Sequence, residues 1–190
     1  TGFFIDIAQK MGWKTKGVEI SKYATEFARK KGLDVACGTL EQGMFKENSF
    51  DVVTLWDVLE HFQDTRQEVA MCAKLLRSGG VLVINTPDSG SLYARVMGKR
   101  WHLLVPPEHL HYFTQKSVRI FLENSGFHVE EITKIGKKFT LGYVMQTLAE
   151  WQKSSLLRKF VGVLKKHPWL AGLTMPINLR DNMFIIARKK

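Results

Sequence analysis

Short, largely apolar runs rich in β-branched residues alternate along the chain with segments whose apolar residues fall at helical spacing. Val52 to Leu55 and Val81 to Asn85 are runs of the first kind, typical of strands covered on both faces in a parallel sheet. Between them Asp64 is a predicted N-cap, and it opens a helix whose apolar face comprises Val69, Cys72, Ala73, Leu75 and Leu76. Parallel strands need such helical crossovers, so the pattern predicts an α/β fold with a doubly wound, mostly parallel sheet.

The same alternation predicts elements on both sides of this unit. Upstream, it predicts a helix at Phe3 to Met11, a strand at Lys14 to Ile20, a helix at Lys22 to Lys31 capped by Ser21, and a strand at Asp34 to Cys37. Downstream, it predicts that Gly79 and Gly80 end the Asp64 helix, and then a helix from Thr114 to Asn124, a strand at Phe127 to Ile135, one helix from Leu141 to Lys166, and a strand at Asn182 to Arg188. We expect this last strand to run antiparallel.

Two stretches depart from the alternation. Residues 88–113 are rich in turn formers and aromatic residues without a clean period, so we expect a lid-like excursion beyond the carboxyl ends of the strands. Residues 141–176 form a basic helical insert before the last strand. Neither stretch needs a core of its own, and 190 residues with 45% hydrophobic side chains suit a single domain at residues 1–190.

The apolar runs, the first residues and the cysteine count of the chain bear on where in the cell it is found. The longest apolar runs are far below the roughly 20 residues that span a bilayer, and the start TGFFIDIAQK lacks the features of a secretory signal. Cys37 and Cys72 are too few for a disulfide scaffold. These observations predict a soluble, cytoplasmic protein.

The net charge of +10 is concentrated near the C-terminus. From Trp151 onward there are nine Lys or Arg residues against Asp181 alone, a local charge of +8. Such a field attracts anionic lipid, an acidic substrate or nucleic acid, and charge alone does not choose among them. The apolar stripe of the predicted helix between Leu141 and Lys166, followed by Trp169, is compatible with contact of residues 141–169 with an anionic membrane, and equally with packing of the helix over the sheet. A solvated basic face is the alternative.

Polar side chains collect where two predicted strands end. Trp56 and Asp57 close one strand, and Glu19 closes another. Because ligands of open α/β sheets bind beyond the carboxyl ends of strands, we expect these residues to line one pocket. An indole and a carboxylate suit a cationic ligand, and a carboxylate at the position of Glu19 suits the hydroxyl groups of a ribose.

Four further residues are candidates for a part in proton transfer. His61 is the natural base, because its unperturbed pKa is about 6.5, and Glu60 beside it either orients the ring or joins it in holding a divalent cation. Two adjacent residues are too few to predict a metal site. His109 and His111 alternate, so in an extended segment they point to one side and form a candidate proton relay. A surface pair is the alternative for Glu60 and His61, and imidazoles hydrogen-bonded to loop carbonyl groups are the alternative for His109 and His111.

The ordered set of motifs resembles the class I S-adenosylmethionine-dependent methyltransferases, especially the subgroup that includes the ubiquinone-biosynthesis O-methyltransferases. The motifs are TGFF, GVEIS, GTLE, FDVVTLWDVLEHF, LRSGGVLVINTP and EHLHYFT. The resemblance covers Thr1 to about Ile135 and implies S-adenosylmethionine as cofactor. It implies that Glu19 binds the ribose, that Ile20, Thr39 and Leu40 lie around the adenine, and that Trp56 and Asp57 line the cofactor. Gly2 resembles the tail of the family's glycine-rich loop.

One departure from the family pattern concerns the cofactor seat. The family's first strand and the rest of its glycine-rich loop should precede Thr1, so we expect this chain alone to bind S-adenosylmethionine poorly. The predicted function is methyl transfer to a small-molecule or lipid-linked acceptor, at oxygen. The alternatives are a nucleic-acid methyltransferase, which the residues after Asp57 do not favour, a nicotinamide-dependent oxidoreductase, and a non-catalytic binding module with a degenerate cofactor site.

Overall fold

The computed structural model of the chain describes residues 2–151, 155–177 and 179–190. The chain forms two compact units, residues 1–49 and residues 50–190, referred to here as unit 1 and unit 2. Thr1, at the start of the resemblance, and Lys153, in the predicted basic helix, lie outside the described residues.

Unit 1 is a small α/β layer. Its elements are α1 (Phe3–Lys10), β1 (Gly17–Glu19), α2 (Lys22–Lys30) and β2 (Val35–Cys37). The two strands pair in parallel, and Ser21 caps α2 as predicted, because its hydroxyl accepts a hydrogen bond from the Ala24 N–H.

Close packing at the start of unit 1 requires a glycine. Ala28 and Leu33 belong to a buried cluster with Val35, and Ile5 packs against it. Gly2 has φ 72°, and a Cβ atom there would lie 2.6 Å from Leu33 Cδ1. A side chain at position 2 would therefore clash with this cluster as well as strain the backbone.

Unit 2 is built on a four-stranded sheet in the order β3-β4-β8-β5. Its strands are β3 (Phe50–Trp56), β4 (Leu76–Pro87), β5 (Phe127–Thr133) and β8 (Asn182–Lys189). β3 and β4 are parallel, while β8 runs antiparallel to both of its neighbours, β4 and β5. The α/β class with a mostly parallel sheet and an antiparallel last strand is thus confirmed.

Helices and one further strand pair complete unit 2. They are α3 (Thr65–Leu75), α4 (Leu92–Met97), α5 (Gln115–Asn124), α6 (Leu141–Trp151), α7 (Ser155–Lys166), α8 (Pro168–Ala171), and the antiparallel strands β6 (Lys137–Thr140) and β7 (Thr174–Ile177). Asp64 caps α3, since its carboxylate accepts from the Arg66 and Gln67 N–H groups, and Thr114 caps α5 through a capping box with Ser117. Both caps were predicted.

Two sequence predictions for unit 2 were wrong. Gly79 and Gly80 do not end the helix, because the chain is already extended at Leu76 and both glycines lie within β4. The helix predicted from Leu141 to Lys166 is instead two helices, α6 and α7, which contact each other. The excursion at residues 88–113 is partly regular, since it contains α4 and a 3₁₀ turn at Gly98–Arg100.

Candidate functional site

In unit 1, the end of β1 presents a carboxylate next to an exposed apolar side chain. Glu19 Oε1 accepts a hydrogen bond from the Ser21 N–H at 2.9 Å, which fixes the carboxylate and leaves Oε2 available to a ligand. The backbone around it is held by Thr25 Oγ1 and the Gly38 N–H, which both donate to Glu19 O. Ile20 follows with 73% of its surface exposed. A carboxylate beside an apolar surface suits a sugar joined to an aromatic base.

The remaining residues of unit 1 that were predicted to contact the cofactor lie outside its helices and strands. Thr39 and Leu40 follow β2 directly, with Thr39 exposed and Leu40 half-buried. Gly2 precedes α1.

In unit 2, β3 ends in an indole and a constrained aspartate. Trp56 is 39% exposed, and its ring lies 5.9 Å from the Phe184 ring on β8. Asp57 has φ 50°, a left-handed conformation that is uncommon for residues other than glycine. Two hydrogen bonds hold it, from Asp57 N–H to Asn85 O at 2.9 Å and from Asn85 Nδ2 to Asp57 Oδ1 at 2.6 Å. Such fixed, strained residues cluster at functional sites.

Glu60 is buried directly behind this strand end. Only 1% of its surface is exposed, and Thr86 Oγ1 on β4 donates to Glu60 Oε2 at 2.8 Å. Burial raises the pKa of the Glu60 carboxyl above its ordinary value of 4.5, and the nearby charge of Asp57 raises it further; the Thr86 bond and His61 act in the opposite direction. The structure therefore places a carboxylate where its charge is poorly solvated.

His61 meets a second histidine from the excursion. The His61 and His109 rings lie 4.8 Å apart, edge to face. One ligand atom from each of Glu60, His61 and His109 lies within 4.8 Å of the other two. A backbone hydrogen bond joins the same two segments, since the Leu110 N–H donates to Glu60 O at 2.8 Å. We call these three residues the EHH cluster.

His111 lies at the edge of this arrangement. Its N–H donates to Glu60 O at 3.2 Å, but its ring lies beside the Phe113 ring, at 6.2 Å. His109 and His111 were predicted to point the same way from an extended segment. The segment is not extended at His109, because the His109 N–H donates to Val105 O and so forms a turn. The neighbour of His109 is His61, and the catalytic role of His111 stays a prediction.

A buried carboxylate ties the excursion to the sheet. Asp181, just before β8, accepts from Trp101 Nε1 at 2.9 Å, and Asp181 O accepts from the Asp88 N–H at 2.8 Å. Sequence reasoning missed Asp181, Asn85 and Thr86. Spacing along the chain carries no signal for them, since each acquires its role through a partner that is distant in sequence.

Chemically, unit 2 combines the means to hold a cation and to remove a proton. Trp56 offers a π face and Asp57 a carboxylate to a positive ligand. A few residues further on, the EHH cluster holds two imidazoles against a buried carboxylate. Imidazole is the side chain best suited to accept a proton near neutral pH.

Comparison with known proteins was made by sequence and by structure. The family described as "Methyltransferase domain" matches residues 1–132. A relative from Mycolicibacterium smegmatis named "Probable S-adenosylmethionine-dependent methyltransferase" is 32% identical over 104 residues, covering 55% of this chain and 38% of the relative. A ubiquinone biosynthesis O-methyltransferase from Methylococcus capsulatus is 27% identical over 121 residues, covering 59% and 51%. The chain thus spans about half or less of the length of these relatives.

Solved structures agree on the fold. The crystal structure of a SAM dependent methyltransferase from Archaeoglobus fulgidus superposes with a TM-score of 0.64 and 20% identity, over 99% of this chain and 81% of that one. Because the family match extends over more than half of the residues, the chain belongs to the methyltransferase domain family.

Proposed function

We propose that the protein is an S-adenosylmethionine-dependent methyltransferase that methylates an oxygen atom of a small-molecule or lipid-linked acceptor. The observation that carries the proposal is the end of β3, where the fixed carboxylate of Asp57 and the exposed indole of Trp56 precede the EHH cluster. Membership of the methyltransferase domain family and the ubiquinone biosynthesis O-methyltransferases among its relatives support it.

The residues present fit the cofactor. Glu19 keeps one carboxylate oxygen for vicinal hydroxyls, and Ile20 offers an apolar surface to a purine. Trp56 and Asp57 suit the positive end, which carries a sulfonium and an ammonium group. When bound, S-adenosylmethionine supplies an electrophilic methyl group on that sulfonium sulfur.

His61 is the group we assign to the acceptor's proton. Its Nδ1 lies 2.7 Å from Glu108 O, and a carbonyl oxygen only accepts, so Nδ1 carries the hydrogen. The lone pair is therefore on Nε2. When the acceptor's hydroxyl oxygen takes the methyl group, the bond from sulfur to methyl would break, the sulfonium would leave as a neutral thioether, and the hydroxyl proton would pass to His61 Nε2. Proton transfer to a fixed base contributes about 10²–10⁴-fold to such a step.

Replacing Glu19 with glutamine weakens S-adenosylmethionine binding by about 10- to 100-fold relative to the unmodified chain, because a charged hydrogen-bond acceptor contributes roughly 1.5–3 kcal/mol. Isothermal titration calorimetry measures the ratio. Glu26→Gln is the matched control, since Glu26 is an exposed glutamate on the following helix. Equal affinities for the two variants would remove Glu19 from the cofactor site.

The lipid-linked acceptor is supported by the surface of α7. Leu156, Phe160 and Val163 are exposed and follow each other at i, i+4 and i+7, which places them on one helical face. Lys159 and Lys166 lie on the same side at helical spacing from them. Exposed apolar residues flanked by lysines suit an anionic membrane surface. Among the described residues, no helix has both the length and the apolar character needed to cross a bilayer.

We expect the protein to float with vesicles that contain phosphatidylglycerol and not with phosphatidylcholine vesicles alone. Phe160→Asp reduces the floated fraction about tenfold or more, because it removes roughly 1.5–3 kcal/mol of apolar transfer and adds a negative charge. Ile120→Asp, at an exposed position on α5, is the control and keeps the wild-type value. Flotation that persists at 1 M salt would contradict an electrostatic contribution to vesicle binding, since the Debye length at that salt concentration is about 3 Å.

A cytoplasmic location also belongs to this proposal. Cys37 is an exposed free thiol, and Cys72 is a buried one whose pKa is raised to about 12 by burial. Free thiols of both kinds suit a reducing compartment.

A further inference from the structure

We infer that a cavity of unit 2 binds a phosphate group carried by a small molecule. The cavity has a volume of about 360 Å³, at the lower end of the roughly 300–1,000 Å³ that small-molecule sites occupy. Its lining begins at Asp88, directly after β4, includes residues of α4 and of the start of α5, and ends at Lys134, directly after β5. We call it the basic cavity.

The charges of the lining favour an anion. Three cationic side chains, Arg95, Lys116 and Lys134, stand against the single carboxylate of Asp88, so the lining carries a formal charge of +2. These residues come from three separate segments of the chain, and the fold brings their charges to one concave surface. A concave surface of one sign concentrates the field and attracts ligands of the opposite charge.

Asp88 does not compete with an incoming anion, because its carboxylate is already paired. Asp88 is buried, and Lys134 Nζ and Gln115 Nε2 both lie 3.1 Å from its Oδ2, while the Gly90 N–H donates to Oδ1 at 3.0 Å. The carboxylate instead positions Lys134, whose Nζ also donates to Arg180 O at 2.7 Å. An ammonium group has three N–H donors, so one donor of Lys134 remains for a ligand.

The two other cations are available in full. Within the described part of the chain, the side chains of Arg95 and Lys116 form no hydrogen bond and no ion pair, and both are exposed. A guanidinium group donates two parallel hydrogen bonds to the oxygens of a phosphate group, and a lysine adds a point charge. Two unpaired cations beside a positioned third are the arrangement that a phosphate group requires.

A buried hydroxyl adds a neutral donor to the same lining. Ser91 is 2% exposed, and its Oγ accepts from the Ala94 N–H at 3.1 Å. Among the described residues no acceptor receives the hydrogen of this hydroxyl, which can therefore bond a ligand oxygen. The lining also includes the first residues of α5, where the helix dipole adds partial positive charge.

The basic cavity lies at the same end of β4 as the proposed proton acceptor. Thr86, two residues before Asp88, donates to Glu60 Oε2, and Glu60 is followed by His61. We therefore expect the phosphate group to belong to the methyl acceptor, a step that rests on the proposed function. Phosphate binding itself does not depend on that function.

The test is isothermal titration calorimetry of the unmodified chain with inorganic diphosphate, without cofactor, at constant ionic strength. We expect saturable binding of one diphosphate per chain. Replacing both free cations, Arg95→Gln with Lys116→Gln, weakens the binding by about 10- to 100-fold, because hydrogen bonds to charged groups are lost. Both residues are exposed, so the variant folds, and circular dichroism melting verifies this.

The matched control is Lys99→Gln with Arg100→Gln. This pair removes the same charge from exposed positions of the same excursion that do not line the cavity, so diphosphate affinity stays within about threefold of the unmodified chain. The inference is overturned if the unmodified chain shows no saturable binding of diphosphate. It is equally overturned if the two double variants lose the same affinity, since binding would then reflect net charge alone.

Two further titrations identify the source of the phosphate group. Leu92, at the cavity, is 72% exposed and offers an apolar surface to a chain attached to the phosphate. Tighter binding of short-chain phosphatidic acid than of inorganic phosphate supports the cavity as a site for a lipid phosphate, and equal binding supports it as a site for a polar one. A chain that binds diphosphate but transfers no methyl group contradicts the proposed function and supports the cavity.

Discussion

Replacing His61 with alanine lowers the turnover number for methyl transfer by about 10²–10⁴-fold, the range that a positioned proton acceptor contributes. The Michaelis constant for the acceptor changes much less, because the interaction is gained mainly as the proton leaves. His61 is exposed, and alanine at an exposed position costs little stability. The loss is measured from initial rates with labelled S-adenosylmethionine and an acceptor present in excess.

The control is His128→Ala, at an exposed histidine on β5 outside the EHH cluster. It should leave the turnover number unchanged. If His61→Ala retains more than about a tenth of the wild-type rate, His61 is not the group that takes the proton.

The dependence of the rate on added metal separates the two roles available to His61. If His61 acts as a free imidazole base, the rate of methyl transfer does not depend on added metal. A metal ligand instead produces a rate that disappears after chelation and returns with Zn²⁺ or Co²⁺. Either result shows whether the lone pair on His61 Nε2 takes up a proton or binds a metal ion. The hydrogen bond from His61 Nδ1 to Glu108 O leaves that lone pair available.

Local signals in the sequence were sufficient for most of the fold. Capping by Ser21, Asp64 and Thr114 was predicted because each cap is made between residues that are neighbours in the chain. The antiparallel last strand was predicted as well. The prediction that Gly79 and Gly80 end a helix was wrong. A glycine pair of this kind is equally compatible with an irregular stretch of strand.

The candidate site was less accessible to prediction, for a physical reason. The strand pattern predicted Trp56, Asp57 and Glu60 as site residues, because they directly follow or end a predicted strand. The partners of these residues are set by tertiary packing: Asn85 pairs with Asp57, and His109 reaches His61 only because the excursion folds back. Such contacts have no period, so no sequence pattern reports them.

Replacing Glu60 with glutamine should make the metal-free protein more stable at neutral pH and at the same time less active. Burial raises the pKa of the Glu60 carboxyl above 4.5, so the folded state favours the protonated form. The contribution of Glu60 to stability is therefore fully present below pH 4.5 and is lost as the pH rises through the folded-state pKa. Glutamine carries no charge to desolvate, and its amide oxygen still accepts from Thr86 Oγ1.

The difference in unfolding free energy between Glu60→Gln and the unmodified chain should thus be small near pH 4 and increase toward neutral pH, where it levels off. Urea denaturation in the presence of chelator measures it, with Glu131→Gln, an exposed glutamate on β5, as the control that shows no such rise. Methyl transfer should fall in the same variant, because the neutral amide does not replace the carboxylate next to His61. A flat pH dependence would show that the buried carboxylate of Glu60 does not destabilise the folded chain at neutral pH.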